Sequence, residues 1–394
     1  MISSIKNGKQ KTQNKIPTLR MNNTVLTQAS EVCNGFNQYF TTVGHHLVDD
    51  LVNNNPVSDN KNDYIKYCQM SIMNSMYCEP VTKEELTKLI CNLKNGKSPG
   101  PDNIGPKIIK LISHIIIDPL QYMYNLSFEK GIVPDKLKTA KVVPVYKGGD
   151  SCLPQNYRPI SLLSVFDKLL EKLMAIRLNR FLLLNNILYK YQFGFRKNYS
   201  TVMAVIDVMD DIFEHLDKRY SGLGIYLDLK KAFDTVDHSI LLHKMYNYGI
   251  RGIVYDWFKS YLSNRLQYTA MQHFTSDNAA VTCGVPQGSV LGPILFLIYM
   301  NDIDKAIPEE KIKLFADDTN LFLFDKDSKS LSLKATECLN KLSQWFIANK
   351  LTLNLSKTCY KVFSSDKNED IKHTSIVVFC TVSCSESGYC LRLV

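Results

Sequence analysis

Three aspartates are the residues best placed to do chemistry. Two are adjacent, in Lys313-Leu314-Phe315-Ala316-Asp317-Asp318-Thr319, and the third, Asp228, ends the apolar run Leu223-Gly224-Ile225-Tyr226-Leu227. Carboxylates gathered from neighbouring strand ends can share a pair of Mg²⁺ ions roughly 3.5–4 Å apart. One ion then lowers the pKa of an attacking hydroxyl and the other neutralises charge on a leaving pyrophosphate. Mg²⁺ takes substrate phosphates as ligands, so two or three acids suffice, and Mn²⁺ is an alternative. Taken singly, each acid has a plainer explanation: a helix N-cap at Asp234 or Asp237, or a hairpin turn at Asp317-Asp318. A third segment tips the balance. Gly284-Val285-Pro286-Gln287-Gly288-Ser289-Val290-Leu291-Gly292-Pro293 puts glycines where a backbone could approach a flat ligand closely. Ser289 is expected to cap the apolar helix that follows, with Pro293 in its first turn, and that N-terminus is expected to favour phosphate.

The elements that must position these residues follow from periodicity. Segments 311–316 and 320–324 are β-prone and make Asp317-Asp318 the tip of a hairpin, while 223–227 reads as a buried strand. Helical spacing predicts a helix over 29–51, through Val32, Phe36, Tyr39, Phe40, Val43 and Leu47, followed by a linker at 53–61. Thr82 with Glu85 reads as a capping box for a helix ending at Asn95-Gly96. Apolar helices broken near Pro119 are expected over 104–128, a strand over 139–146, and amphipathic helices over 162–184 and 201–216. Further helices are expected over 237–248 and 331–348, with a strand at 358–363. Such irregular alternation suggests an α+β fold with a central antiparallel sheet flanked by helices.

Bulk properties narrow the class. A chain of 394 residues with 45% hydrophobic content should fold, and a net charge of +9 suits a polyanionic partner without requiring one. The 11 cysteines include no C-x-x-C pair, although Cys380, Cys384 and Cys390 crowd the tail, so reduced thiols are expected. Residues 1–17 lack an apolar signal core, and the longest apolar run, 290–300, is too short to span a bilayer. The expectation is an intracellular, nuclear or cytoplasmic protein without a membrane segment.

In order along the chain stand Lys97-Ser98-Pro99-Gly100-Pro101-Asp102, Asn156-Tyr157-Arg158-Pro159-Ile160-Ser161-Leu162-Leu163 and Gln192-Phe193-Gly194-Phe195-Arg196. Asp228-Leu229-Lys230-Lys231-Ala232-Phe233-Asp234, the Gly284 to Pro293 loop, Asn301-Asp302 and Phe315-Ala316-Asp317-Asp318 follow. Trp345 and Lys350-Leu351-Thr352-Leu353-Asn354-Leu355-Ser356-Lys357-Thr358 close the series. This ordered set, spanning about 81–363, resembles the reverse transcriptases of LINE-type (non-LTR, jockey-like) retrotransposons. The resemblance implies a right-hand polymerase with fingers over 81–216 and 241–283 and a palm over 217–240 and 284–363. It further implies that the domain spans 79–363, between a polar, helical extension at 1–78 and a divergent Cys-rich tail at 364–394.

By the same resemblance, Asp228, Asp317 and Asp318 hold the metal ions and Lys357 is a general acid to pyrophosphate. Lys147 and Arg158 clamp the triphosphate, Phe233 is the steric gate against a 2′-hydroxyl, and Gln287 with Gly288 lines the nascent base pair. Phe233 and Ala316 stand where RNA-making polymerases of this kind usually carry an acid and a glycine, which favours DNA synthesis. The implied partners are an RNA template, a DNA primer and dNTPs. The segment at 1–78 is too short for an endonuclease domain, and 364–394 matches no thumb. The expectation is therefore a truncated copy, either an RNA-directed DNA polymerase or a catalytically silent nucleic-acid-binding remnant.

Overall fold

The computed structural model describes residues 16–21, 24–53, 62–68 and 71–364, with short strand segments at 377–378, 389–390 and 392–393. The described residues open with a hairpin, β1 (Leu19–Met21) and β2 (Thr24–Leu26), and the long helix α1 (Ala29–Asn53). The expected linker lies almost wholly outside the described residues. Helix α2 (Lys83–Cys91) is capped as expected, the Thr82 hydroxyl accepting from Glu85 N at 3.1 Å. The reciprocal half of the capping box is absent, because the Glu85 carboxylate pairs instead with Arg177 at 3.0 Å. The helix also stops earlier than expected, at Asn92.

Helices α3 (Pro106–Leu111) and α4 (Ser113–Lys130) come next. The break between them is at Ile112, not Pro119, which sits inside α4. Strands β3 (Thr139–Tyr146) and β4 (Tyr157–Leu162) form a hairpin ahead of α5 (Val165–Leu184) and α6 (Thr201–Asp217). Helix α5 is not amphipathic as expected but a core helix, buried on most sides and carrying the buried charges Asp167, Glu171 and Arg177. Helix α6 is the opposite case, with no buried residue.

Strand β5 (Ser221–Leu227) leads through a tight turn to α7 (His238–Asn247) and α8 (Ile253–Leu262). Strands β6 (Arg265–Met271), β7 (Phe274–Thr275) and β8 (Ala279–Val281) precede α9 (Gly292–Met300). Then come β9 (Ile312–Phe315), β10 (Asp318–Asp325), α10 (Ser328–Ala348) and β11 (Cys359–Phe363). The short pieces β12 (Val377–Val378), β13 (Tyr389–Cys390) and β14 (Arg392–Leu393) end the chain.

Helix and sheet are mixed, and the strands make two principal sheets. The first runs in the order β14-β11-β5-β10-β9, its β11–β5, β5–β10 and β10–β9 pairs all antiparallel. Alternation along β10 sends Leu321 and Leu323 into the core, and those side chains are fully buried. The second sheet, β4-β3-β6-β7 with β8 beside β6, contains a parallel β3–β6 pair. That pairing joins strands far apart in sequence and was not foreseen.

One core unites α2, α4, α5 and α7 to α10 with the inner face of the first sheet. Helix α9 lies at its centre: from Ile294 to Met300 every side chain is buried. The longest apolar run of the sequence is thus a core helix, and among the described residues no helix is long and apolar enough to cross a membrane. A smaller core seats α1 on the second sheet through Val32, Phe36 and Phe40 against Val142 and Tyr157.

Candidate active site

The β9–β10 hairpin is built around a strained turn. Phe315 pairs with Asp318, which leaves Ala316 and Asp317 as its two central residues, and Ala316 has φ +59°. A non-glycine residue there stores strain and persists only when its surroundings hold it. They do. The Gln192 amide oxygen accepts from Ala316 N at 2.9 Å and from Gly194 N at 2.8 Å. Gly194 is obligatory in turn, because a Cβ there would lie 2.3 Å from Ala316 N. Phe193 N donates to Leu314 O and Leu314 N to Tyr191 O, so the Gln192 segment extends the sheet edge beside β9.

Register does the rest. The β5–β10 ladder ends with Thr319 opposite Leu227, so Asp318 and Asp228 are the residues next beyond its last pair, at the same end of neighbouring strands. Burial raises the Asp317 carboxyl above its ordinary value, with Asp228 adding to the rise and Arg158 and Lys357 opposing it. Asp318 is likewise raised, by burial, then by Asp317 and Asp228. The three acids named from the sequence therefore feel one another's charge.

Asp228 is held by the segment after α10. Asn354 Nδ2 donates to Asp228 Oδ1 at 2.9 Å, Asn354 N donates to Asp228 O at 2.8 Å, and Lys357 Nζ lies 3.8 Å from Oδ2. Asp228, Asp318 and Lys357 line one cleft of about 540 Å³, whose far wall is α6. That wall is fixed to β9 by the buried Lys313, which pairs with Asp207 at 2.6 Å and with Asp211. Among the described residues no three acid, His or Cys side chains already close around a single ion. The donor set nonetheless suits Mg²⁺: hard carboxylate oxygens only, two of them lining one cleft, a kind of site that Mg²⁺ completes with water and substrate phosphates.

A second group surrounds the turn after Asp228. Lys231 has φ +52° and starts the turn that carries Phe233 and Asp234. The Phe233 ring stacks on Phe296 with centroids 4.6 Å apart and meets Phe195 edge-on. The loop before α9 docks on this turn through its backbone: Gly284 N donates to Val236 O and Val285 N to Phe233 O, both at 2.8 Å. Gln287 is tied at both ends, its carbonyl accepting from Ser161 N at 2.8 Å and its Nε2 donating to Asp234 Oδ1 at 2.7 Å. Gly288, with φ +126°, lies against Ser161 O, where a Cβ would come within 2.6 Å.

The expected phosphate site at the start of α9 does not exist. Val290 N donates to the fully buried Glu171 carboxylate, which also accepts from the Tyr261 hydroxyl. The protein's own anion thus occupies that helix terminus. Ser289 does take part, its hydroxyl accepting from Gly292 N at 2.9 Å, although the cap position itself is Leu291. Of the two acids with a plain capping alternative, Asp237 does cap α7, accepting from Ser239 N and Ile240 N. Asp234 caps nothing.

The two cations of the second sheet converge on these groups. Arg158 in β4 stands opposite Val145 and is exposed, and Lys147 follows β3. Burial lowers the Lys147 ammonium, Arg158 lowers it further, and Asp234 and Asp228 oppose the drop. Sequence reasoning missed four contributors: Asn354, Asp234, Lys231 and helix α1. Burial, then Lys147 and Arg158, bring the Lys231 ammonium down to about 8. Tyr39 of α1 lies under the Lys231 ammonium, and burial together with Asp234 pushes its hydroxyl up to about 12. Of the four, Asn354, Asp234 and Lys231 stood inside noted motifs, without these roles; nothing in the sequence ties α1 to this turn.

Comparison with known proteins gives a consistent picture. The family pattern described as reverse transcriptase (RNA-dependent DNA polymerase) matches residues 145–377. A probable RNA-directed DNA polymerase from transposon BS of Drosophila melanogaster is 32% identical over 298 residues, covering 74% of this chain and 33% of the relative. The RNA-directed DNA polymerase from mobile element jockey of the same species is 29% identical, over 76% of this chain and 34% of its own. A probable RNA-directed DNA polymerase from transposon X-element, also of that species, is 28% identical over 70% and 31%. The chain thus spans about a third of the length of the curated relatives it matches.

Proposed function

The chain belongs to the reverse transcriptase family, of the jockey-like, non-LTR kind, and from that premise we propose that it extends a DNA 3′-end on an RNA template. In this reading the second sheet and its helices, over 81–216 and 241–283, are the fingers. The first sheet, with 217–240 and 284–363, is the palm. The observation that carries the reading is the meeting of Asp228 and Asp318 in one cleft at the end of the β5–β10 ladder, at a hairpin whose strained turn is held by Gln192 and Gly194.

Asp228, Asp317 and Asp318 would hold two Mg²⁺ ions, which activate the primer hydroxyl and neutralise the leaving pyrophosphate when bound. The protein's own groups do the positioning. Arg158 and Lys147 face the acids from the second sheet, where a planar, always-charged guanidinium and an ammonium can clamp a triphosphate. Phe233, backed by Phe296, presents a ring that cannot yield to a 2′-hydroxyl. Gln287 and Gly288, locked against β4, line the nascent base pair. Lys357, exposed beside Asp228, can pass a proton to the departing pyrophosphate. Asn354 keeps the Asp228 carboxylate turned toward the cleft.

The test is primer extension on an RNA template with Mg²⁺. Asp317→Asn should abolish extension and leave thermal unfolding within about 1 °C, since the turn is held through the backbone of its neighbour Ala316. Extension that survives the change would refute the acid assignment. Binding of template–primer without extension by the parent chain would instead favour the silent remnant.

A further inference from the structure

Asp234 follows the ring proposed as the sugar gate, yet it does not line the cleft that Asp228 and Asp318 share and instead lines a small cavity with Gln287. Its Oδ1 accepts from Gln287 Nε2 at 2.7 Å, and its Oδ2 is buried with no hydrogen-bond partner among the described residues. Buried carboxylate oxygens are normally paired, because desolvation without a partner is costly. A local capping role would explain it, but Asp237 already caps the helix that follows. Its nearest compensating charges are Lys231 and Lys147.

The surroundings fix Asp234 from three sides. Gly284 packs on its backbone so closely that a Cβ would lie 2.9 Å from Asp234 O. Gly44 of α1 presses on the same carbonyl, where a Cβ would come within 2.3 Å. Cys283 Sγ donates to that carbonyl at 3.5 Å. The backbone of Gln287 is pinned as well, by Ser161 N on its carbonyl and by the close approach of Gly288 to Ser161 O. What remains free in Gln287 is the side chain, and above all which end of its amide points inward. An ionised carboxylate only accepts hydrogen bonds. A reversed amide would set Oε1 against Asp234 Oδ1, two acceptors face to face.

We propose that Asp234 is a positioning residue that holds the Gln287 amide with Nε2 inward and so presents Oε1 outward, as an acceptor for a donor group on the incoming nucleotide. The inference rests on the polymerase reading, in which Gln287 lines the nucleotide pocket. It adds that the pocket's hydrogen-bond polarity is set by an acid that never touches the nucleotide.

The experiment measures the Kd of the next complementary dNTP in a ternary complex of the full chain with an RNA template and a chain-terminated DNA primer, so that no turnover is needed. Gln287→Ala should raise the Kd about tenfold. Asp234→Ala should raise it by a similar factor, and the double variant should be no worse than either single one, because residues acting as a unit are not additive. Asp234→Asn can accept or donate and leaves the amide unfixed, so a rise of about threefold is expected. It is the isosteric check should the alanine variant fold poorly. Pairing Asp234→Asn with Gln287→Glu restores a donor–acceptor contact with an acceptor outward and should recover most of the affinity. Additive single effects, or an unchanged Kd in both Asp234 variants while Gln287→Ala weakens binding, would overturn the role of Asp234 and spare that of Gln287. An unchanged Kd in Gln287→Ala would remove the pocket assignment itself. A parent chain that binds no templated nucleotide would remove both.

Discussion

Asp228 and Asp234 bracket one turn, yet their environments differ in every respect that matters to a carboxylate. Asp228 ends a strand, faces an open cleft beside Asp318, and receives an amide from Asn354 on one oxygen only. Asp234 has one oxygen on Gln287 and the other buried without a partner, while α1 and the Gly284 loop close on its backbone carbonyl. The first arrangement keeps negative charge available to a cation. The second spends it on orienting a neutral amide. Residue type is shared; accessibility and donors assign the task.

The largest effect that would break the contrast is expected at the open acid. Asp228→Asn keeps an oxygen for Asn354 Nδ2, so the fold should persist, while primer extension falls by about 10³-fold or more, as loss of a principal electrostatic group does. Single-nucleotide extension under saturating dNTP measures this. A loss no greater than that of Asp234→Asn would erase the distinction between the two acids.

Next in size is the seal over Asp234. Gly44→Ala gains about 1 kcal/mol of helix propensity, but its Cβ would meet the Asp234 carbonyl oxygen and Cys283 Sγ, and backbone cannot step aside as a flexible side chain can. A net destabilisation of about 1–3 kcal/mol is expected, read as a lower midpoint in urea unfolding. An unchanged or higher midpoint would mean that α1 does not bear on the turn.

The smallest effect concerns the cation that accompanies the sealed acid. Lys231 titrates at about 8 in the fold, against 10.5 for a free lysine. Between those values the unfolded chain holds a proton that the folded chain has shed. Stability therefore rises with pH across this window, and the penalty of a buried charge is fully present below it. Lys231→Met removes the titrating group, so the variant should be more stable than the parent at pH 7 by about 1 kcal/mol, with the difference closing by pH 10.5. Urea midpoints of the two proteins at both pH values test this; a constant difference would show that Lys231 carries no buried charge.

Much of this architecture could be read along the chain because it is local. Strand β3 and helix α1 follow from side-chain periodicity, the start of α2 from Thr82, and the β9–β10 hairpin from two short β-prone runs, although its tip is Ala316-Asp317 and not the expected Asp317-Asp318. The errors share a cause. Pro119 was expected to break a helix it in fact sits within, and α5 was expected to be amphipathic, because neither reading could weigh what packs around the helix. The supposed phosphate site before α9 failed for the same reason: Glu171, remote in sequence, had already taken the free N–H of Val290. The parallel β3–β6 pair, Asn354 on Asp228, and α1 over Asp234 are likewise contacts between distant segments.

By itself, then, the sequence determined which acids and cations the protein owns and on which strand ends and turns they fall, since backbone preference and hydrophobic period act over a few residues. Only the tertiary structure decided which acid would lie open and which would be sealed. That choice depends on desolvation and on donors arriving from elsewhere in the chain, and those are properties of a place in the fold.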